Sequence, residues 1–177
     1  MKVPSLIKVI SFAGVGLAVA MCVASVRPQP TAAQGPAPAS YTVTDLGTFG
    51  GSYSIAYSIN SSGMVTGGAS TPSQTNFVAQ TGFLWDGGQL INLGTLGGPA
   101  CPDCSSEGAA AVVNGTVAVD SETAQRASNY EDFCAFGTHR QCLAAIWQNG
   151  VLSALPTLPG GNNSQAFFAN SRGEVIG

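Results

Sequence analysis

The chain opens with an uncharged apolar run from Val9 to Val26, behind Lys2 and Lys8, and then changes pattern completely. Beyond it, short stretches alternate: Ile55, Tyr57 and Ile59 are separated by Ala56 and Ser58, the period-2 signature of a strand with one preferred buried face. Val117 and Val119, Ala145 and Trp147, and Val151 and Leu155 follow the same rule, and no helical period occurs outside the leading segment. Four strands per unit are predicted, at 54–59, 64–69, 81–85 and 89–93. Asn114-Gly115, Asp86-Gly87 and Asn149-Gly150 are tight-turn signals, because Asn, Asp and Gly tolerate the positive φ of a type I′ hairpin. The expected fold class is all-β, built from antiparallel strands.

The pattern repeats. Asp45-Leu46-Gly47-Thr48-Phe49-Gly50-Gly51 returns as Asn92-Leu93-Gly94-Thr95-Leu96-Gly97-Gly98 and, eroded, as Ala154-Leu155-Pro156-Thr157-Leu158-Pro159-Gly160. Trp85-Asp86-Gly87-Gly88 returns as Trp147-Gln148-Asn149-Gly150, and Ser54 to Gly67 returns as Ser164 to Gly177. Units therefore fall at about 41–88, 89–150 and 151–177, the last cut short, within a domain of 40–177. A repeat of roughly 40–50 residues carrying four strands is the sequence signature of a β-propeller blade. Turns at one end of each unit are tight. The length variation falls in 70–80, 121–141 and 99–106, which would gather on one face, where binding is expected. About two and a half units are visible and a closed propeller takes at least four, so the pattern predicts a piece of a longer protein or an oligomer.

Tyr41 to Gly51, the Ser-x-Ala-x-x-Ile-Asn-x-x-Gly-x-Val stretch from Ser54, and Phe83-Leu84-Trp85 resemble the HAF repeat of bacterial extracellular proteins. The resemblance covers Tyr41 to Gly177. It departs at the name-giving triplet, where Thr81-Gly82-Phe83 and Leu143-Ala144-Ala145 replace His-Ala-Phe, and in a second unit with a shortened first turn and a long Cys-bearing insertion. It implies secretion and a propeller-like repeat; it implies no known reaction and carries over no catalytic residue.

Charge narrows the partners. Residues 1–39 read as a secretory signal followed by a Pro/Ala-rich linker, with a retained anchor as the alternative. Without them, three arginines (Arg126, Arg140, Arg172) face nine acids and no lysine remains, a net charge of −6. Such a surface repels DNA, RNA and acidic lipid, so nucleic acid is not an expected partner and the membrane is met only through the signal segment. The expected partner is an extracellular glycan, protein or envelope component.

Candidate chemistry is sparse. Cys101, Cys104, Cys134 and Cys142 form an even set in an exported chain and predict two disulfides, with three connectivities open. The rival is zinc, held by Cys101-Pro102-Asp103-Cys104 with His139 nearby. His139, the only histidine, reads as a solvated loop residue, and Glu107, Asp120, Glu122, Glu131 and Asp132 as solvated loop acids or a weak calcium site. Trp85 and Trp147 read as packing between units, and Phe167-Phe168 must turn one ring away from the core. No catalytic, cofactor-binding or metal residue is assigned and no cofactor is expected. The leading expectation is a non-catalytic binding or structural module. The alternative is a secreted propeller enzyme, acting on carbohydrate, with its catalytic groups outside the visible units.

Overall fold

Alternating side chains and glycine-marked turns yield ten strands in the computed structural model, which describes residues 40–74, 78–111 and 114–177. The proposed signal at 1–39 lies outside the described residues. Residues 43–177 group as one unit. The strands are β1 (Ser54–Ile59), β2 (Val65–Ala69), β3 (Thr81–Asp86), β4 (Gln89–Asn92), β5 (Ser106–Ala111), β6 (Val117–Arg126), β7 (Arg140–Gln148), β8 (Val151–Ala154), β9 (Phe168–Ala169) and β10 (Val175–Ile176). They form two four-stranded antiparallel sheets in sequence order, β1-β2-β3-β4 and β5-β6-β7-β8, and a two-stranded β9-β10 sheet. A single turn of 3-10 helix at Gly98–Ala100 is the helical content among the described residues.

The two large sheets share one register. Ser54 pairs with Ala69 and Ile59 with Val65, while 52 residues on Ser106 pairs with Ser121 and Ala111 with Val117. Both first strands carry a bulge at the same place, between Ala56 and Ser58 and between Gly108 and Ala110. Phe83 pairs with Gly67 and Asn92, and 62 residues on Ala145 pairs with Val119 and Ala154. The ten extra residues therefore enter between the paired parts of β6 and β7, where they lengthen both strands and the insertion at 127–139 that joins them. Strand β6 runs to Arg126, so this insertion is shorter than the 121–141 expected from the sequence.

Turn chemistry repeats as well. Asn60 Oδ1 accepts the N–H groups of Ser62 and Met64 (2.9 and 3.0 Å), and Asn170 Oδ1 accepts those of Arg172 and Glu174 (2.9 and 3.1 Å). The hairpins after the tryptophans have positive φ at Gly87 and Gly88 and at Asn149 and Gly150, so the first corner sits one residue later than Asp86-Gly87. The β5–β6 turn is not shortened: Ala111 and Val117 enclose five residues, as do Ile59 and Val65. There Gly115 has positive φ, while the Asn114 side chain accepts from Thr116 N–H (3.2 Å), an Asx turn rather than a two-residue type I′ corner.

One serine per unit clamps the next unit onto the last. Gly82 N–H donates to Ser106 Oγ (2.9 Å), Ser106 N–H donates to Gln80 C=O (2.9 Å), and Ser106 Oγ donates to Gly94 C=O (2.6 Å). Farther along, Ala144 N–H donates to Ser164 Oγ (3.0 Å) and Ser164 N–H to Cys142 C=O (3.0 Å). The approach is close enough to need glycine: a Cβ on Gly108 would lie 3.0 Å from Phe83 O and 3.3 Å from Gly67 N.

The core follows these junctions. Leu84 and Leu93 meet Val117, Val119, Ala145 and Trp147 between the large sheets. Ala110, Ala118 and Ala144 meet Ala166 and Val175 at the next junction. On the outer face of the first sheet, Phe83, Val65 and Ala69 are covered by Leu46, Phe49 and Trp85. Strand β1 departs from the expected buried face: Ile55, Tyr57 and Ile59 are 45%, 47% and 69% exposed, although β5 packs against β1 as it does against β2 and β3. Phe167 and Phe168 are both exposed rather than one.

Candidate functional site

A cavity of about 600 Å³, the size range of small-ligand pockets, lies between the start of the first sheet and the insertion of the second. Tyr53, Ser54, Ile55 and Tyr57 form one wall, Val78, Gln80 and Glu107 the floor, and Cys134, Ala135 and Phe136 the opposite wall. Tyr57 is the extra residue of the β1 bulge, unpaired in the ladder, and a bulge is the device that re-aims a side chain.

The floor is a hydrogen-bonded relay. Gln80 is buried, and its Nε2 donates to Tyr57 Oη (3.1 Å) and Glu107 Oε2 (2.7 Å). Gln80 reaches there by lying over Gly68, where a Cβ would come within 2.2 Å of the Gln80 amide oxygen. The equivalent positions in the second sheet hold Asp120 and Cys142: the shorter cysteine leaves room for the carboxylate, and its disulfide recruits the insertion. Tyr53 Oη donates to Ala79 C=O (3.1 Å). Burial raises the Glu107 carboxyl above the usual carboxylate range, opposed by its bonds to Tyr57 and Gln80, and burial likewise raises Tyr53 and Tyr57.

The cysteines pair locally, Cys101 with Cys104 and Cys134 with Cys142. Both pairs brace the loop face. Arg140 Nη2 reaches both oxygens of Asp103 (3.0 Å each), joining the Cys101–Cys104 loop to the base of the insertion, and holds the Asp103 carboxyl below its ordinary value. Thiols committed to a disulfide do not ligate zinc, so the Cys101/Cys104/His139 alternative is not what the structure contains. His139 is more than a solvated loop residue: its ring stacks on Tyr130 at 4.3 Å, and Nδ1 lies 3.0 Å from Tyr130 C=O. Tyr130, Ala135 and His139 all hold positive φ, a cost that concentrates in the insertion.

The acids differ most from expectation. Asp120 and Glu122 are strand residues, each 1% exposed, rather than solvated loop acids. Backbone N–H groups compensate their burial: Ala166 donates to Asp120 Oδ1 (2.6 Å) and Ser105 to Glu122 Oε2 (2.7 Å). Thr138 Oγ1 also donates to Glu122, anchoring the end of the insertion. Desolvation pushes the Asp120 carboxyl up to about 7 and raises Glu122. Glu131 accepts from Asn129 and Asn163, and Asp132 from Gly137 N–H (2.8 Å), so both hold loops. Among the described residues no three potential ligands cluster as a metal site. Trp147 packs between the sheets as expected, whereas Trp85 packs with Phe83 and Val65 on the outer face of the first sheet.

Tyr53, Gln80 and Phe136 are not candidates in the sequence, and Tyr57 enters there only as a strand residue. The bulge that projects Tyr57 and the disulfide partner that brings Phe136 over β1 leave no local pattern. No family model, curated protein or solved structure matches the chain.

Proposed function

We propose that the chain is an exported, non-catalytic binding module of the HAF-repeat kind, with four-stranded units arranged as propeller-like blades. Its ligand, from the extracellular or envelope milieu, sits in the Tyr53/Tyr57/Glu107/Phe136 cavity. The carrying observation is the cavity itself, whose walls come from two units and a disulfide-held insertion. The shared register and the serine clamp support the repeat reading, and two local disulfides suit an oxidising compartment. The cavity presents one carboxylate, one amide, two phenols and the Ser54 hydroxyl among aromatic and aliphatic groups, a set suited to holding a ligand.

The test is calorimetric titration of the chain with soluble envelope polysaccharides, peptidoglycan fragments, small amines and small alcohols. At least one class binds saturably, and Tyr57→Ala and Phe136→Ala each weaken it about tenfold or more, the loss of one good contact. A panel without any saturable binder, or binding untouched by both variants, overturns the proposal.

A further inference from the structure

We propose that this cavity recognises an organic cation, an alkylated ammonium group seated against Glu107 with its apolar substituents on the tyrosines. This rests on the cavity being the ligand site.

Glu107 sits half-buried in a recess whose other lining residues, Gln80 and Ser54 included, are uncharged. Its hydrogen-bond partners, Gln80 and Tyr57, are neutral. The ion pairs among the described residues lie elsewhere, Arg140 with Asp103 and Arg172 with Glu174, and no Lys, Arg or His lines the cavity. A carboxylate withdrawn from water without a counter-charge is costly, and a cationic ligand supplies the missing charge. An anion is repelled and a neutral ligand leaves the charge uncompensated. A bare metal ion is a poor fit, because the walls offer one carboxylate and the volume is far larger than such an ion needs. Tyr53 and Tyr57 line the cavity, and aromatic rings attract cations most strongly when the site is partly desolvated, which favours a weakly hydrated alkylated ammonium. The acidic excess of the domain draws cations toward the face.

Choline chloride and its uncharged isostere 3,3-dimethyl-1-butanol separate charge from shape. Calorimetry on the full chain is expected to show saturable choline binding, with the isostere at least about tenfold weaker. Glu107→Gln should weaken choline by a similar factor and bring the two ligands together. Tyr53→Leu, at a partly exposed position, should weaken choline several-fold while thermal unfolding stays cooperative. Phosphatidylcholine vesicles distinguish sources: vesicle binding lost in Glu107→Gln assigns a lipid headgroup, and choline binding without vesicle binding assigns a soluble amine. Equal affinity for choline and the isostere, or choline affinity unchanged in Glu107→Gln and Tyr53→Leu, overturns the cation assignment. Binding of a neutral glycan through Tyr57 and Phe136 without choline binding overturns it while leaving the binding-module reading intact. Absence of every binder removes both.

Discussion

Replacing Asp120 with Asn should remove a strong pH dependence of stability from this chain. The carboxyl is 1% exposed and its pKa is pushed from 3.8 up to about 7, chiefly by desolvation. Between those values the folded chain holds the proton while the unfolded chain has released it. Stability therefore falls as pH rises, by about 1.4 kcal/mol per pH unit and about 4 kcal/mol across the window. Burial also raises Glu107 and Glu122, so the wild type carries further losses of the same sign. Asp120→Asn keeps an oxygen for the Ala166 N–H and removes the titration. Urea unfolding of both proteins between about pH 4.5 and pH 7.5 reads the difference directly. The wild type should lose about 3 kcal/mol relative to the variant over that range. A stability difference constant to within about 0.5 kcal/mol would show that Asp120 does not carry a raised pKa, and the reasoning from its burial would fail.

Ser106→Ala should cost about 1–3 kcal/mol, because it leaves Gly82 N–H and Gly94 C=O without partners at a buried junction. Ser54→Ala, at the equivalent but exposed position, should stay within about 0.5 kcal/mol; equal losses in urea unfolding would refute the clamp. Phe83→Ala removes a fully buried ring and should cost about 3–5 kcal/mol by the same assay. Alkylation without reduction should leave Cys101, Cys104, Cys134 and Cys142 unmodified by mass measurement. Replacing Cys134 and Cys142 with Ala should cost about 2–3 kcal/mol, the constraint expected of so short a loop.

What the sequence disclosed follows from range. Strand positions and turns depend on neighbours, so β1, β3 and β4 lie within a residue of their expected places, and Asn60 and Asn170 make the turns their spacing implies. Ile55, Tyr57 and Ile59 alternate as a buried strand would, yet burial is set by what packs around them, and all three stay exposed. Asp120 and Glu122 looked like loop acids because polar residues ended the apparent strand at Val119; the N–H groups that accommodate them, on Ala166 and Ser105, lie 46 and 17 residues away. The cavity was illegible for the same reason. Glu107 is visible as an acid, but its partner Gln80 lies 27 residues away in another unit, and nothing local marks Gly68 as the position over which the Gln80 amide lies.

The most direct test of the ligand site is amide mapping by NMR on isotopically labelled chain, titrated with choline. Shifts confined to Tyr53–Tyr57, Gln80, Glu107 and Cys134–Phe136 are the expected result. Shifts centred on the outer strand β8, around Val151 to Ala154, or spread evenly over the surface, would contradict it.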